Sequence, residues 1–111
     1  MQITLENVND ITVIHISGKL DTVTAPDLEA VVIELIEKHQ FKLIFDLTKM
    51  TYISSSGLRV LLIAQKKLAP HNREAILNGL SESLHSIFEI SGFTQLFCFT
   101  DTLDSALNSI K

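Results

Sequence analysis

Cysteine occurs once in the 111 residues, at Cys98, so no disulfide can form within the chain, and no group of Cys and His has the spacing of a zinc site. Long apolar runs are missing too. The longest unbroken one, Val60 to Ala64, falls far short of the ~20 residues that cross a bilayer. Met1 to Glu6 has no basic start leading into an apolar block, so no secretory signal is visible. Acidic residues outnumber basic ones 13 to 9 and aromatics make up only 6%. That balance argues against nonspecific nucleic-acid binding, which needs Lys/Arg clusters to release counterions. A glycine-rich phosphate loop with its Lys is absent, as is a Gly-x-Ser-x-Gly nucleophile elbow. What is present is ordinary for a globular domain: 46% hydrophobic, 20% charged, formal charge −4. The expectation is one cytoplasmic domain over residues 1–111, able to bury a core without staples, with no cofactor and no membrane insertion.

Periodicity supplies the elements. Ile3 and Leu5 alternate with Thr4 and Glu6 as in a half-buried strand, and Ile11 to Ser17 reads as a second. Thr24 is placed to cap a helix with Pro26 and Asp27 in its first turn. Leu28, Val31, Val32 and Leu35 form its stripe at i, i+3, i+4, i+7, to about Lys38. Leu43-Ile44-Phe45 is a short buried strand ending in Asp46, and a second helix spans Leu58 to Leu68 before Pro70. Ala75 to Leu77 is another strand. Ser81 caps a helix carrying Leu84, Ile87 and Phe88 inward and closed by Gly92. Leu96 to Phe99 is a strand, and Asp101 is placed to cap a last helix with Leu103, Ala106, Leu107 and Ile110 inward. The order ββαβαβαβα implies an α/β domain with a mostly parallel sheet and an N-terminal hairpin or edge.

The most informative stretch is Asp46 to Arg59, which leaves a buried strand, passes through Ser54-Ser55-Ser56-Gly57 and opens a helix. Functional loops of open α/β folds lie at the carboxyl end of the sheet. Free N–H groups and the helix dipole favour an anion there, so a serine at that point is able to carry a phosphate without melting the fold. The same pattern also fits a plain N-cap worth ~1 kcal/mol, with the other serines tolerated in a loop. Spacing alone favours the plain cap, since serine before a helix is among the commonest patterns in proteins.

The segment resembles the signature of the STAS domain, found in anti-sigma-factor antagonists of bacterial partner-switching systems. That family places Asp-Ser-Ser/Thr-Gly-Leu at a helix start after a buried strand ending in Asp. Asp46, Ser55, Ser56, Gly57 and Leu58 match it. Gly18-Lys19-Leu20-Asp21 with Ala25 resembles the family's Gly-x-Leu/Ile-Asp segment, and Ser91-Gly92-Phe93 resembles its third-helix ending. The likeness covers essentially the whole chain. It implies that Ser55 is phosphorylated by an anti-sigma factor with a histidine-kinase-like ATPase fold and dephosphorylated by a PP2C-type phosphatase, in control of transcription. The unmodified form would bind the anti-sigma factor. It further implies a partner surface on Asp21, Thr22, Val23 and Thr24 together with Ser54, Ser56, Gly57, Leu58 and Arg59. One departure stands out: Ser54 occupies the place usually held by Asp, removing a charge beside the acceptor.

Other candidates have plainer readings. His15, His39, His71 and His85 have no dyad spacing and are read as surface or edge residues. Asp46 is expected to bond nearby backbone at a strand end and Asp21 to shape its loop. Replacing Asp21 by Ala is expected to weaken partner binding and leave stability nearly unchanged. Ile33, Ile36, Tyr52 and Phe93 fit ordinary packing or a modest apolar rim around the serine loop. The chain is therefore read as a binding protein and not an enzyme. The competing readings are a constitutive, unphosphorylated STAS scaffold subunit, kept open by Ser54, and a small hydrolase, disfavoured by the missing base.

Overall fold

Strand follows strand in space in the order in which the chain makes them. The computed structural model describes residues 1–110, with β1 (Gln2–Val8), β2 (Ile11–Leu20), α1 (Ala25–Glu37), β3 (Leu43–Ile53), α2 (Ser55–Leu68), β4 (Ile76–Asn78), α3 (Glu82–Ile90), β5 (Cys98–Thr100) and α4 (Leu103–Ser109). The sheet order is β1-β2-β3-β4-β5; β1 and β2 form an antiparallel hairpin and every other pair is parallel. The expected ββαβαβαβα order and mostly parallel sheet are both present.

Alternation along the central strands builds two cores. Ile14, Ile16, Phe45, Leu47 and Leu77 face α1, α2 and α3, meeting Leu28, Val32, Leu61, Ala64, Leu84 and Phe88. Ile11, Val13, Ile44 and Ile76 face the other way, against Ala106 and Ile110 at the α4 end of the chain. Phe45, Phe88, Leu28 and Leu61 are 0% exposed, and full burial of such a side chain contributes roughly 1.5–3 kcal/mol. Three helices thus cover one face and the single α4 covers part of the other.

Several boundaries differ from the sequence reading. β3 does not end at Asp46 but continues to Ile53. Its pairing with β2 shifts register between His15 and Ser17 and again between Gly18 and Lys19. Each shift inserts one extra residue on β3, a bulge that turns the next side chain to the opposite face. Leu47, Met50 and Ile53 are therefore all buried although they are three apart. Thr24 does not cap α1: its backbone is helical and its side chain makes no cap hydrogen bond. Thr102, not Asp101, caps α4, its hydroxyl accepting from the Ser105 N–H at 3.1 Å. The strands expected at Ala75–Leu77 and Leu96–Phe99 lie at Ile76–Asn78 and Cys98–Thr100. Ser81 caps α3 as expected, and Gly92 follows the helix end at φ 76°, a left-handed position suited to glycine.

Candidate functional site

Two loops leave the carboxyl ends of the adjacent strands β2 and β3 and enter α1 and α2. They are bound to each other. The Ser54 N–H donates to the Leu20 carbonyl at 2.9 Å, and the hydroxyls of Thr22 and Ser56 lie 3.3 Å apart. In the first loop, Oδ1 of Asp21 accepts from the N–H groups of Val23 and Thr24, both at 3.0 Å, and from the Thr24 hydroxyl at 3.1 Å. These donors, led by the Thr24 N–H, hold the Asp21 carboxyl below the usual carboxylate range. Thr24 Oγ1 in turn accepts from the Asp21 N–H at 2.9 Å. Asp21 thus shapes the turn into α1, and with three donors on one carboxylate oxygen its replacement is expected to cost stability, where the sequence alone led to an expectation of almost none.

The three serines of the second loop have three different environments. Ser54 is the N-cap of α2: its backbone is extended, at φ −92° and ψ 172°, and its Oγ accepts from the Gly57 N–H at 3.2 Å. Ser56 is half-buried and paired with Thr22. Ser55 is exposed at the first helical residue, and among the described residues its hydroxyl has no hydrogen-bond partner. Ser54 therefore does the capping that an Asp would do, since both residue types cap well. Gly57 and Leu58 are buried beneath the loop; Thr22, Val23 and Arg59 are exposed, with Val23 83% accessible. Tyr52, at the end of β3, is a further exposed apolar neighbour in sequence. Ile33, Ile36 and Phe93 are partly buried, and Ile36 and Phe93 pack against the main core.

Sequence spacing missed a polar row on the face opposite α1–α3. His15 is not an isolated edge residue: Nδ1 lies 2.7 Å from Asp46 Oδ2 and Nε2 lies 2.8 Å from Glu6 Oε1. Asp46 Oδ1 also accepts from the Thr48 N–H and hydroxyl and from Asn78 Nδ2, while Asn78 Oδ1 accepts from the Thr100 hydroxyl at 2.8 Å. Side chains of all five strands are so joined. Burial alone would depress the His15 pKa, but its hydrogen bonds to Glu6 and Asp46 and their charges raise it overall. Burial alone would raise the Asp46 pKa; its bonds from His15, Thr48 and Asn78 lower it overall. The clue was available in the register: once Val13 is set beside Ile44, His15 falls beside Asp46.

Among the described residues no group of three or more His, Cys, Asp or Glu is arranged to hold a metal ion, and no helix is long and apolar enough to cross a membrane. The chain is similar over its whole length to BtrV of Bordetella bronchiseptica, with 30% identity over 111 residues covering 96% of that protein. It is 37% identical over 87 residues to an anti-sigma-B factor antagonist of Listeria monocytogenes, covering 75% of this chain and 73% of the relative. An anti-sigma factor antagonist from Mycobacterium paratuberculosis has the same fold, with a TM-score of 0.89 at 25% identity, covering 98% of this chain and 92% of that one. The phosphorylated form of the Bacillus cell-fate determinant SpoIIAA superposes with a TM-score of 0.79 at 21% identity, covering 99% and 100% of the two chains. A family description for the STAS domain matches residues 2–106, and with that span and this fold the chain belongs to the STAS domain family.

Proposed function

We propose that this chain is an anti-sigma factor antagonist whose unmodified form binds an anti-sigma factor with a histidine-kinase-like ATPase fold, and that phosphorylation of Ser55 by that partner ends the binding. The observation that carries the reading is the contrast among the serines: Ser54 is committed to capping, Ser56 is tied to Thr22, and the Ser55 hydroxyl stands exposed with no hydrogen-bond partner among the described residues. The names of the Listeria and Mycobacterium relatives support the antagonist role, and the existence of a phosphorylated SpoIIAA with this fold supports the switch. In the transfer, Ser55 Oγ attacks the γ-phosphorus of ATP, ADP leaves, and the hydroxyl proton passes to a base on the kinase. A PP2C-type phosphatase hydrolyses the ester and restores the hydroxyl. Such a cycle belongs in the bacterial cytoplasm.

The partner surface in this reading is the pair of bound loops. Val23 supplies an exposed apolar contact and Arg59 a cation, while Asp21, Thr24, Ser54 and Ser56 hold the loops in place. Gly57 and Leu58 act from below by packing. A phosphate adds about −1.5 to −2 charges to a chain already at −4. A partner closed over a neutral hydroxyl must desolvate that charge, and a loss of only ~3 kcal/mol weakens affinity more than a hundredfold. The test is incubation with the cognate kinase and ATP, followed by intact mass and peptide mapping. A gain of ~80 Da at Ser55 is expected. Ser55→Ala should bind and resist modification, and Ser55→Asp should stay folded and bind poorly. No mass gain would favour the constitutive scaffold, and phosphate on Ser54 or Ser56 would refute the acceptor assignment.

A further inference from the structure

The geometry points to Arg59 as the internal counter-ion of a phosphate on Ser55, an inference that rests on the reading of Ser55 as acceptor. Ser55 is the first residue of α2 and Arg59 stands one turn further on, at i+4. Helical side chains lean toward the N-terminus, so a long side chain at i+4 reaches back over residue i. An anion at i followed by a cation at i+4 is also the more favourable of the two orders. Arg59 is exposed and enters none of the ion pairs among the described residues. It lines a shallow cleft with Thr22, Pro26, Glu29 and Ser56, between the first turns of α1 and α2. Glu29, the carboxylate of that cleft, does not pair with it, and Asp21, whose Oδ1 accepts from the N–H groups of its own loop, enters no ion pair among the described residues.

An uncommitted guanidinium so placed matches a phosphate in both charge and planar fork. Phosphorylation then does two things at once. It presents a dianion to the partner, and it withdraws from the partner the cation that stood free in the unmodified form. The phosphorylated protein is partly neutralised from within, which fits a switch that alters the surface and not the fold.

The experiment installs phosphoserine at position 55 during translation, in the wild-type chain and in Arg59→Gln and Arg59→Lys, and follows the second phosphate ionisation by phosphorus NMR across pH. Arg59→Gln is expected to raise that pKa by about 0.2–0.4 unit, the size of an exposed i,i+4 pair. Arg59→Lys should retain most of the wild-type value, and the gap between wild type and Arg59→Gln should close near ~1 M salt. Equal pKa values for wild type and Arg59→Gln at low salt would overturn the pairing. Circular dichroism of each variant checks that this exposed substitution leaves the fold intact. Because the phosphate is installed and not transferred, the outcome is independent of the kinase. Peptide mapping of the kinase product separately decides whether Ser55 is the natural acceptor.

Discussion

Replacing Gly57 by Ala tests why the residue after the serines has no side chain. Gly57 is the third residue of α2 and is buried. A Cβ built there would lie 2.7 Å from Leu20 Cγ, 2.9 Å from the Leu20 carbonyl oxygen and 3.0 Å from Ile53 Cγ1. Leu20 and Ile53 are themselves 0% and 3% exposed, and the Leu20 carbonyl is held by the Ser54 N–H. None of the three has free space into which to retreat. Forcing a methyl group into such packing costs ~1–3 kcal/mol. Alanine's better helix propensity offsets at most about 0.8–1.0 kcal/mol of that. The contact with a backbone carbonyl puts the cost in the upper half of that range, and the net loss of ~1–2 kcal/mol corresponds to a fall in Tm of roughly 4–16 °C for a domain of this size. Thermal unfolding by circular dichroism measures it, with Gly92→Ala as a companion, because a Cβ at Gly92 meets nothing within 4 Å and only its positive φ is penalised. Relief of the Gly57 clash must shift Leu20, whose carbonyl holds the Ser54 N–H, or Ile53, the residue before Ser54, so phosphorylation at Ser55 should slow as well. A Gly57→Ala protein with a Tm equal to or above the wild type would refute the packing account of this glycine.

Ser54→Ala should lose ~1 kcal/mol with the cap, whereas Ser54→Asp, able to cap and favoured by the helix dipole, should unfold within a degree or two of wild type; chemical denaturation of the pair checks both. Stability should peak in a window of about pH 4–6.5. The raised His15 pKa gives stability that is complete below the unfolded histidine value and is lost as pH rises through the folded one; the lowered Asp46 pKa gives stability present above its unfolded value and lost on acidification. His15→Gln should flatten the alkaline limb, and an unchanged limb in a pH series of denaturation curves would refute the bridge. Asp21→Ala should lower the Tm measurably, since three donors lose their acceptor, and it should weaken partner binding in a pull-down.

The helices and the element order were legible because their signals are local. The α1 stripe, the Ser81 cap and Gly92 each depend on neighbours within a turn or two. The extent of β3 was not, because bulges against β2 convert a two-residue period into the three-residue spacing of Leu47, Met50 and Ile53, and nothing in β3 alone records what β2 does. Thr24 differs for a related reason: Thr ahead of a first turn holding Pro26 and Asp27 fits a cap, but here the Asp21 carboxylate already serves the loop N–H groups and Thr24 turns back to its own loop. At the serines, spacing placed the run at the helix start but did not rank its members, and only the family resemblance singled out Ser55. Their division of labour depends on Gly57, Thr22 and Leu20, two of which lie more than thirty residues away. His15 and Asp46 likewise meet only through the parallel register.

The agreement between strand order and chain order has a consequence for how the protein is made. Each new strand pairs with the one synthesised just before it, so no early strand waits for a late one to become its neighbour. Assembly can follow the ribosome from one edge of the sheet to the other, with closure of each intervening loop as the main entropic cost. The strut between Leu20 and Ser54 can close once the first turn of α2 has emerged, before β4 and β5 exist. The two three-residue strands and α4 then come last, and with them the cover on the second face. Until that moment Val13 and Ile44, fully buried in the finished molecule, stand open to solvent on a growing sheet. The hazard of sticking to another nascent chain is therefore concentrated on that second face, since α1 and α2 precede β4 and α3 precedes β5 on the first.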